Sequence, residues 1–257
     1  MGDYVDANGV HTYYEEHGSG DPVLLMHGGL SDADSFGQQT PAFAERYRVV
    51  LPERRGHGRT ADVEGPITYD LMADDTIAFM DALGTGPAHL VGWSDGGNVG
   101  LLVAIKRPDL VRKLVTIGSN FNADGLMAET KAAFSPDSPT SVVPVMRDMW
   151  KASAVDPDRF DAVFEKMERC WYDDYSIPAA DLARIAAPTL VMVGDDDIAR
   201  LEHTATLYET IPDAQLAVIP GASHLGPVEK PDLVNRLVLD FLAAEGPTTT
   251  LMPLRRG

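Results

Sequence analysis

The sequence predicts an α/β protein built on a doubly wound, mostly parallel sheet, and three observations carry that expectation. Short apolar runs recur along the chain, helical patterns fill most of the gaps between them, and one long strand-free stretch breaks the alternation. The runs cover residues 23–26, 49–51, 88–91, 114–117, 190–193 and 216–219. Each is unbroken and bounded by turn residues, the pattern of strands covered on both faces. Strands alternating with helices in this way form a sheet with helices packed on its two sides.

The elements follow in order. Residues 10–16 read as an antiparallel edge strand of a hairpin. Thr68 suits an N-cap, followed by Tyr69, Met72, Ala73, Thr76 and Met80 on one helical stripe, with Gly84 as the stop. Pro231 opens a later helix that buries Val234, Leu237, Val238, Phe241 and Leu242, and Gly246 is expected to end it. The strand-free stretch runs over residues 121–187 and is punctuated by Pro136, Pro139, Pro144, Pro157 and Pro178. Within it, Asp156 is expected to cap and Pro157 to open a helix carrying Phe160, Val163, Phe164, Met167 and Trp171. The expected organisation is a core of residues 1–120 and 188–245, a helical cap over residues 121–187, and a loose tail over residues 246–257.

Composition narrows the partners. The chain has 257 residues, with 39 Asp and Glu against 21 Lys and Arg, a formal net charge of -18. Such a surface repels nucleic-acid phosphates and anionic lipid, so neither is expected as a partner; toward a small-molecule substrate it would at most mildly favour a neutral or cationic one. Cys170 is the single cysteine, so no intramolecular disulfide can form, and its place on an apolar stripe reads as a packed thiol. The first residues carry neither a basic region nor an apolar run, and no apolar stretch reaches membrane-spanning length. A cytoplasmic location is expected. The oligomeric state is left open.

The strongest local signal is Gly92-Trp93-Ser94-Asp95-Gly96-Gly97. It follows the strand at residues 88–91 and precedes a helical stretch, the strand–turn–helix setting of a nucleophile elbow. A tight turn there lifts the Ser94 hydroxyl above the carboxyl ends of the strands, where open α/β sheets place their ligands. The helix behind it begins with unpaired backbone N–H groups.

These residues resemble the α/β-hydrolase family, and the resemblance extends from about Tyr14 to Leu242. The elbow is most similar to the biphenyl-hydrolase-like (valacyclovirase-like) branch. His27-Gly28-Gly29, Gly56-His57-Gly58-Arg59-Thr60, Gly194-Asp195-Asp196-Asp197 and Gly221-Ala222-Ser223-His224 match the superfamily pattern at successive strand ends. The resemblance implies an α/β-hydrolase fold with a helical cap and no cofactor or metal. It also implies a serine nucleophile that needs a base. His224 is the natural candidate, because an imidazole can both take and return the proton. A carboxylate must orient it, and three consecutive aspartates stand on the right loop. Family spacing selects Asp197 and leaves Asp195 and Asp196 as loop carboxylates.

Backbone N–H groups of Gly29 and Asp95 are the oxyanion donors the resemblance implies. His27 and His57 read as loop residues. Trp93, Met149, Trp150 and the Asp95 side chain are candidate substrate contacts. The Asp95 carboxylate either attracts a cationic group, such as the amine of an amino-acid ester, or hydrogen-bonds within its loop. The expected reaction is hydrolysis of a small carboxylic ester. Rival expectations are enol-lactone or C–C bond hydrolysis, cofactor-free perhydrolase or haloperoxidase chemistry, and a small-molecule receptor without turnover. Serine at the elbow disfavours dehalogenase and epoxide hydrolase chemistry, for which the resemblance implies aspartate.

Overall fold

The computed structural model describes residues 2–173, 175–246 and 250–252. Eight strands form one sheet: β1 (Gly2–Ala7), β2 (Val10–Gly18), β3 (Pro22–Met26), β4 (Arg48–Pro52), β5 (Ala88–Trp93), β6 (Val111–Ile117), β7 (Thr189–Asp196) and β8 (Ala214–Ser223). Their spatial order is β1-β2-β4-β3-β5-β6-β7-β8. β1 and β2 form an antiparallel hairpin around an Asn8–Gly9 turn, and β2 also runs antiparallel to β4. All pairings from β4 through β8 are parallel. The expected strand at residues 10–16 is therefore second from the edge, and β1 is the edge itself.

The apolar runs divide between the faces with the period of two that a pleated strand imposes. Leu24, Met26, Val50, Leu90, Leu114 and Val191 join one buried cluster. Val23, Leu25, Val49, Leu51, Val91, Val115, Leu190 and Met192 join the other. The first face is covered by α2 (Tyr69–Leu83) and α3 (Asp95–Lys106), the second by α1 (Thr40–Ala44) and, at the C-terminal end, α10 (Pro231–Ala243). β8 departs from the expectation of burial on both faces. Leu216 and Val218 are 38% and 39% exposed, because this strand closes the sheet.

The Thr68 hydroxyl caps α2 by accepting the Leu71 N–H, and Gly84 ends the helix in the left-handed region. α10 stops at Ala243, three residues before the expected glycine. The expected tail lies partly outside the described residues.

Between β6 and β7 the chain forms α4 (Ala128–Ala133), α5 (Val143–Ser153), α6 (Phe160–Tyr172) and α7 (Ala179–Leu182). The segment leaves and returns at one point, where the Ile177 N–H donates to the Phe121 carbonyl at 2.7 Å and Asn122 bridges Ser176. Asp156 makes no side-chain cap; a 3-10 turn at Pro157–Arg159 precedes α6 instead. Phe160, Val163, Phe164, Met167 and Trp171 are buried as the stripe predicts. Lys166 and Arg159 anchor the segment to the buried Asp62 of the core at 2.7 and 2.5 Å. The remaining helices are α8 (Leu201–Thr210), packed on β7 and β8, and α9 (Gly226–Glu229), which follows β8. Among the described residues no helix is long and apolar enough to cross a membrane.

Candidate active site

Ser94 occupies the turn between β5 and α3 with φ 55° and ψ −122°, outside the regions that L residues favour. Neighbours hold it there. Its N–H donates to the Ile117 carbonyl at 2.7 Å, and its carbonyl accepts from the Gly97 N–H at 2.9 Å and the Ser119 hydroxyl at 3.0 Å. A Cβ on Gly96 would run into the Met26 carbonyl, so the turn requires glycine there. Backbone of this kind costs about 1–3 kcal/mol and persists only where its surroundings over-determine it.

Asp197 follows β7 and His224 follows β8, adjacent parallel strands whose carboxyl ends face the same rim. The structure brings these two side chains together, with His224 Nδ1 2.7 Å from Asp197 Oδ1. Asp197 also accepts the backbone N–H groups of Ala199 at 3.0 Å and Gly194 at 3.2 Å. Burial pushes its carboxyl up, but the hydrogen bond and charge of His224, together with those two amides, outweigh burial and leave it below the usual carboxylate range. An ionised acceptor fixes the proton on Nδ1 and turns the Nε2 lone pair outward. The Ser94 hydroxyl and His224 are not hydrogen-bonded to one another. In free enzymes such contacts are often long and tighten when substrate arrives.

Gly118 brings the two halves into proximity. It follows Ile117, the residue that holds the Ser94 N–H, and adopts φ 60°. A Cβ on it would stand 2.8 Å from His224 Nδ1 and 3.1 Å from Asp197 Oδ2. Sequence reasoning missed this position, although a glycine directly after the run at residues 114–117 was its signal.

Of the other aspartates, Asp195 accepts the N–H groups of Gly221 and Ala222 at 2.8 and 3.2 Å, which pins the end of β8. Asp196 is exposed and pairs with Ser223 in the sheet register.

Asp95 is the first residue of α3, where a backbone N–H has no intrahelical acceptor. The residue is 4% exposed, and its side chain accepts the Tyr69 hydroxyl at 2.6 Å and the Trp171 indole N–H at 2.8 Å. Gly29 packs against the same carboxylate; a Cβ there would overlap Asp95 Oδ2 and come within 2.8 Å of the Trp171 ring. Sequence reasoning placed both Tyr69 and Trp171 on apolar stripes and gave neither a contact with Asp95.

Beneath this loop lies a group of buried bases. His27 Nε2 accepts the Arg54 N–H at 3.2 Å, so its Nδ1–H donates to the Gly28 carbonyl at 2.7 Å. Burial holds His27 well below the ordinary imidazole range, and the Arg54 charge adds to the effect. The Arg54 guanidinium donates to the same Gly28 carbonyl at 3.0 Å, and burial lowers it to about 10. His57 donates from Nδ1 to the Arg55 carbonyl at 2.8 Å, and burial pushes it down to about 3.

The remaining candidates are scattered. Trp93 is buried on the α10 side of the sheet, edge-on to Phe36, and donates its indole N–H to the His224 carbonyl at 2.8 Å. Trp150 is buried against His57 and Phe160. Met149 is 66% exposed and lines a surface cavity of about 300 Å³ with Leu30, Asp32 and Ala152. Burial raises the Cys170 thiol, which keeps it protonated. Among the described residues no group of three or more His, Cys, Asp and Glu side chains is arranged for a metal ion.

Comparison with known proteins gives the same picture. The chain matches the alpha/beta hydrolase family over residues 23–237. It is 30% identical to a putative carbamate hydrolase RutD of Caulobacter sp. (strain K31), covering 91% of this chain and 96% of that one. It is 27% identical to the serine hydrolase BPHL of Mus musculus, covering 93% and 85%, in line with the branch its elbow resembles. Among solved structures it superposes on the meta-cleavage product hydrolase CumD of Pseudomonas fluorescens IP01 with a TM-score of 0.77 and 26% identity, covering 93% and 97%. A mostly parallel eight-stranded sheet, a strained serine between β5 and α3, and a match across most of its length together establish that this chain belongs to the α/β-hydrolase family.

Proposed function

We propose that the protein is a serine hydrolase that cleaves a small carboxylic ester through an acyl-enzyme. The observation that carries the reading is the 2.7 Å Asp197–His224 pair, which stands against Gly118 beside the backbone that holds Ser94. His224 Nε2 takes the proton as Ser94 Oγ attacks the ester carbonyl carbon. The oxyanion that forms is stabilised by the N–H groups of Gly29 and Asp95. The imidazolium returns its proton to the leaving alkoxide as the C–O bond breaks. A water deprotonated by the same imidazole then releases the acid and frees Ser94. Asp197 holds the imidazole in the required tautomer throughout and stays ionised, as its depressed titration favours.

The test is a fluorophosphonate probe combined with an ester panel varied in acyl length and amine charge. Labelling at Ser94, with Ser94→Ala losing roughly 10⁴-fold in turnover, supports the proposal. Ligand binding without labelling instead identifies a receptor. A second reading, carbon–carbon bond hydrolysis, is favoured by the similarity to a meta-cleavage product hydrolase. Adding an enol lactone, a diketone-type carbon–carbon substrate and a peracid-forming reaction to the panel separates these chemistries, because the same three side chains serve all of them.

A further inference from the structure

We propose that the Asp95 carboxylate is a positioning group for the oxyanion hole, and that the helical segment above the sheet completes that hole through Trp171. The inference rests on the serine-hydrolase reading and deepens it. Asp95 supplies one proposed oxyanion donor from its backbone, and its side chain is held from two sides. Tyr69 reaches it from α2 in the core at 2.6 Å, and Trp171 reaches it from α6 at 2.8 Å. Gly29, which supplies the second donor, packs on the same carboxylate and indole, so close that no Cβ fits. Both donors therefore lean on one clamp. Hydrogen bonds to an ionised acceptor are short and directional, and they suit a role that demands a fixed geometry.

The surroundings support the clamp. The buried Arg54 guanidinium bonds the carbonyl of Gly28, beside Gly29, and its charge offsets that of Asp95. The Trp171 ring packs on Phe134 and, within α6, on Phe164, so a displacement of α6 reaches Asp95 through the indole N–H. Asp95 is 4% exposed and already accepts two donors, which leaves little access for a substrate ammonium. The clamp thus holds the catalytic loop rather than the substrate.

Trp171→Phe and Tyr69→Phe each remove one donor while keeping an aromatic ring in place. Each is expected to lower kcat about tenfold on a neutral p-nitrophenyl ester, with KM within about twofold. The rate of fluorophosphonate labelling should fall in parallel, and the pH profile should keep its midpoint because His224 and Asp197 are untouched. Asp95→Asn, which retains one acceptor oxygen, should lose less than Asp95→Ala. Variants that lose thermal stability but keep wild-type kcat and labelling rate overturn the proposal and leave the serine-hydrolase reading standing. A wild-type protein that neither labels nor turns over overturns both. Tyr69→Phe lies on a core helix, so it tests the clamp even if Trp171→Phe fails to fold.

Discussion

The indole N–H of Trp93 donates to the backbone carbonyl of His224 at 2.8 Å, tying the residue before the candidate nucleophile to the loop that carries the candidate base. The indole faces the core, so its part in the site is to hold the His224 loop at a fixed height. Trp93→Phe keeps most of the packing on Phe36 and releases the loop. Turnover should fall roughly threefold to tenfold with little change in KM, as expected when a supporting hydrogen bond of about 1 kcal/mol is lost. Steady-state kinetics on a neutral ester checks this.

Asp195, at the end of β7 rather than on the loop expected for it, and Asp197, just after the strand, stand two residues apart and do different things. Asp197→Asn removes the charge that orients His224, and kcat should drop on the order of 10⁴-fold while the fold survives. Asp195→Asn weakens the bonds to Gly221 and Ala222, so it should lower the urea midpoint slightly and leave turnover within tenfold. Paired kinetics and urea unfolding of the two variants separate the roles.

Gly118→Ala should abolish most activity for a reason other than backbone strain. Gly86 offers the control, since it has φ 63° and no atom within 4 Å of a built Cβ. Alanine in the left-handed region costs about 1 kcal/mol at either position. Only at Gly118 does the new methyl press on the His224 imidazole. Gly86→Ala should lose stability alone, whereas Gly118→Ala should lose at least as much and turnover with it.

Acid should destabilise the fold through its buried imidazoles. His57 titrates at about 3 in the folded protein and His89 at about 4, both because burial disfavours the charged ring. An unfolded histidine binds its proton near pH 6.5. Between those values the unfolded histidines hold protons that the folded ones do not, so their contribution to stability is complete above about 6.5 and declines as pH falls. Each such histidine contributes about 1.4 kcal/mol per pH unit within that window. Urea midpoints across the window should show the slope, and His57→Phe should flatten it by about one proton.

The parallel strands, the helices on either side and the elbow were legible because each is a local pattern of burial or turn chemistry. Thr68 and Gly84 bound α2 as read. β1 was not legible, because Gly2–Ala7 carries Asp3 and Asp6 on a mostly exposed edge and lacks an apolar run. The exposure of Leu216 and Val218 depends on strand order, which no single run encodes. The same holds within the site. Ser94 announces itself through its neighbours in sequence, whereas Tyr69 and Trp171 meet Asp95 across 26 and 76 residues of chain. Trp171 sits on a helical stripe that reads as core, and its polar edge becomes informative only once its acceptor is known.

An isolated bridge between Asn122 and Ser176 closes the base of the helical segment. Because Phe121 and Ile177 meet at its base, the stretch between them can lengthen or shrink without rerouting β6 or β7. Any such change that moves α6 also moves the Trp171 indole relative to Asp95.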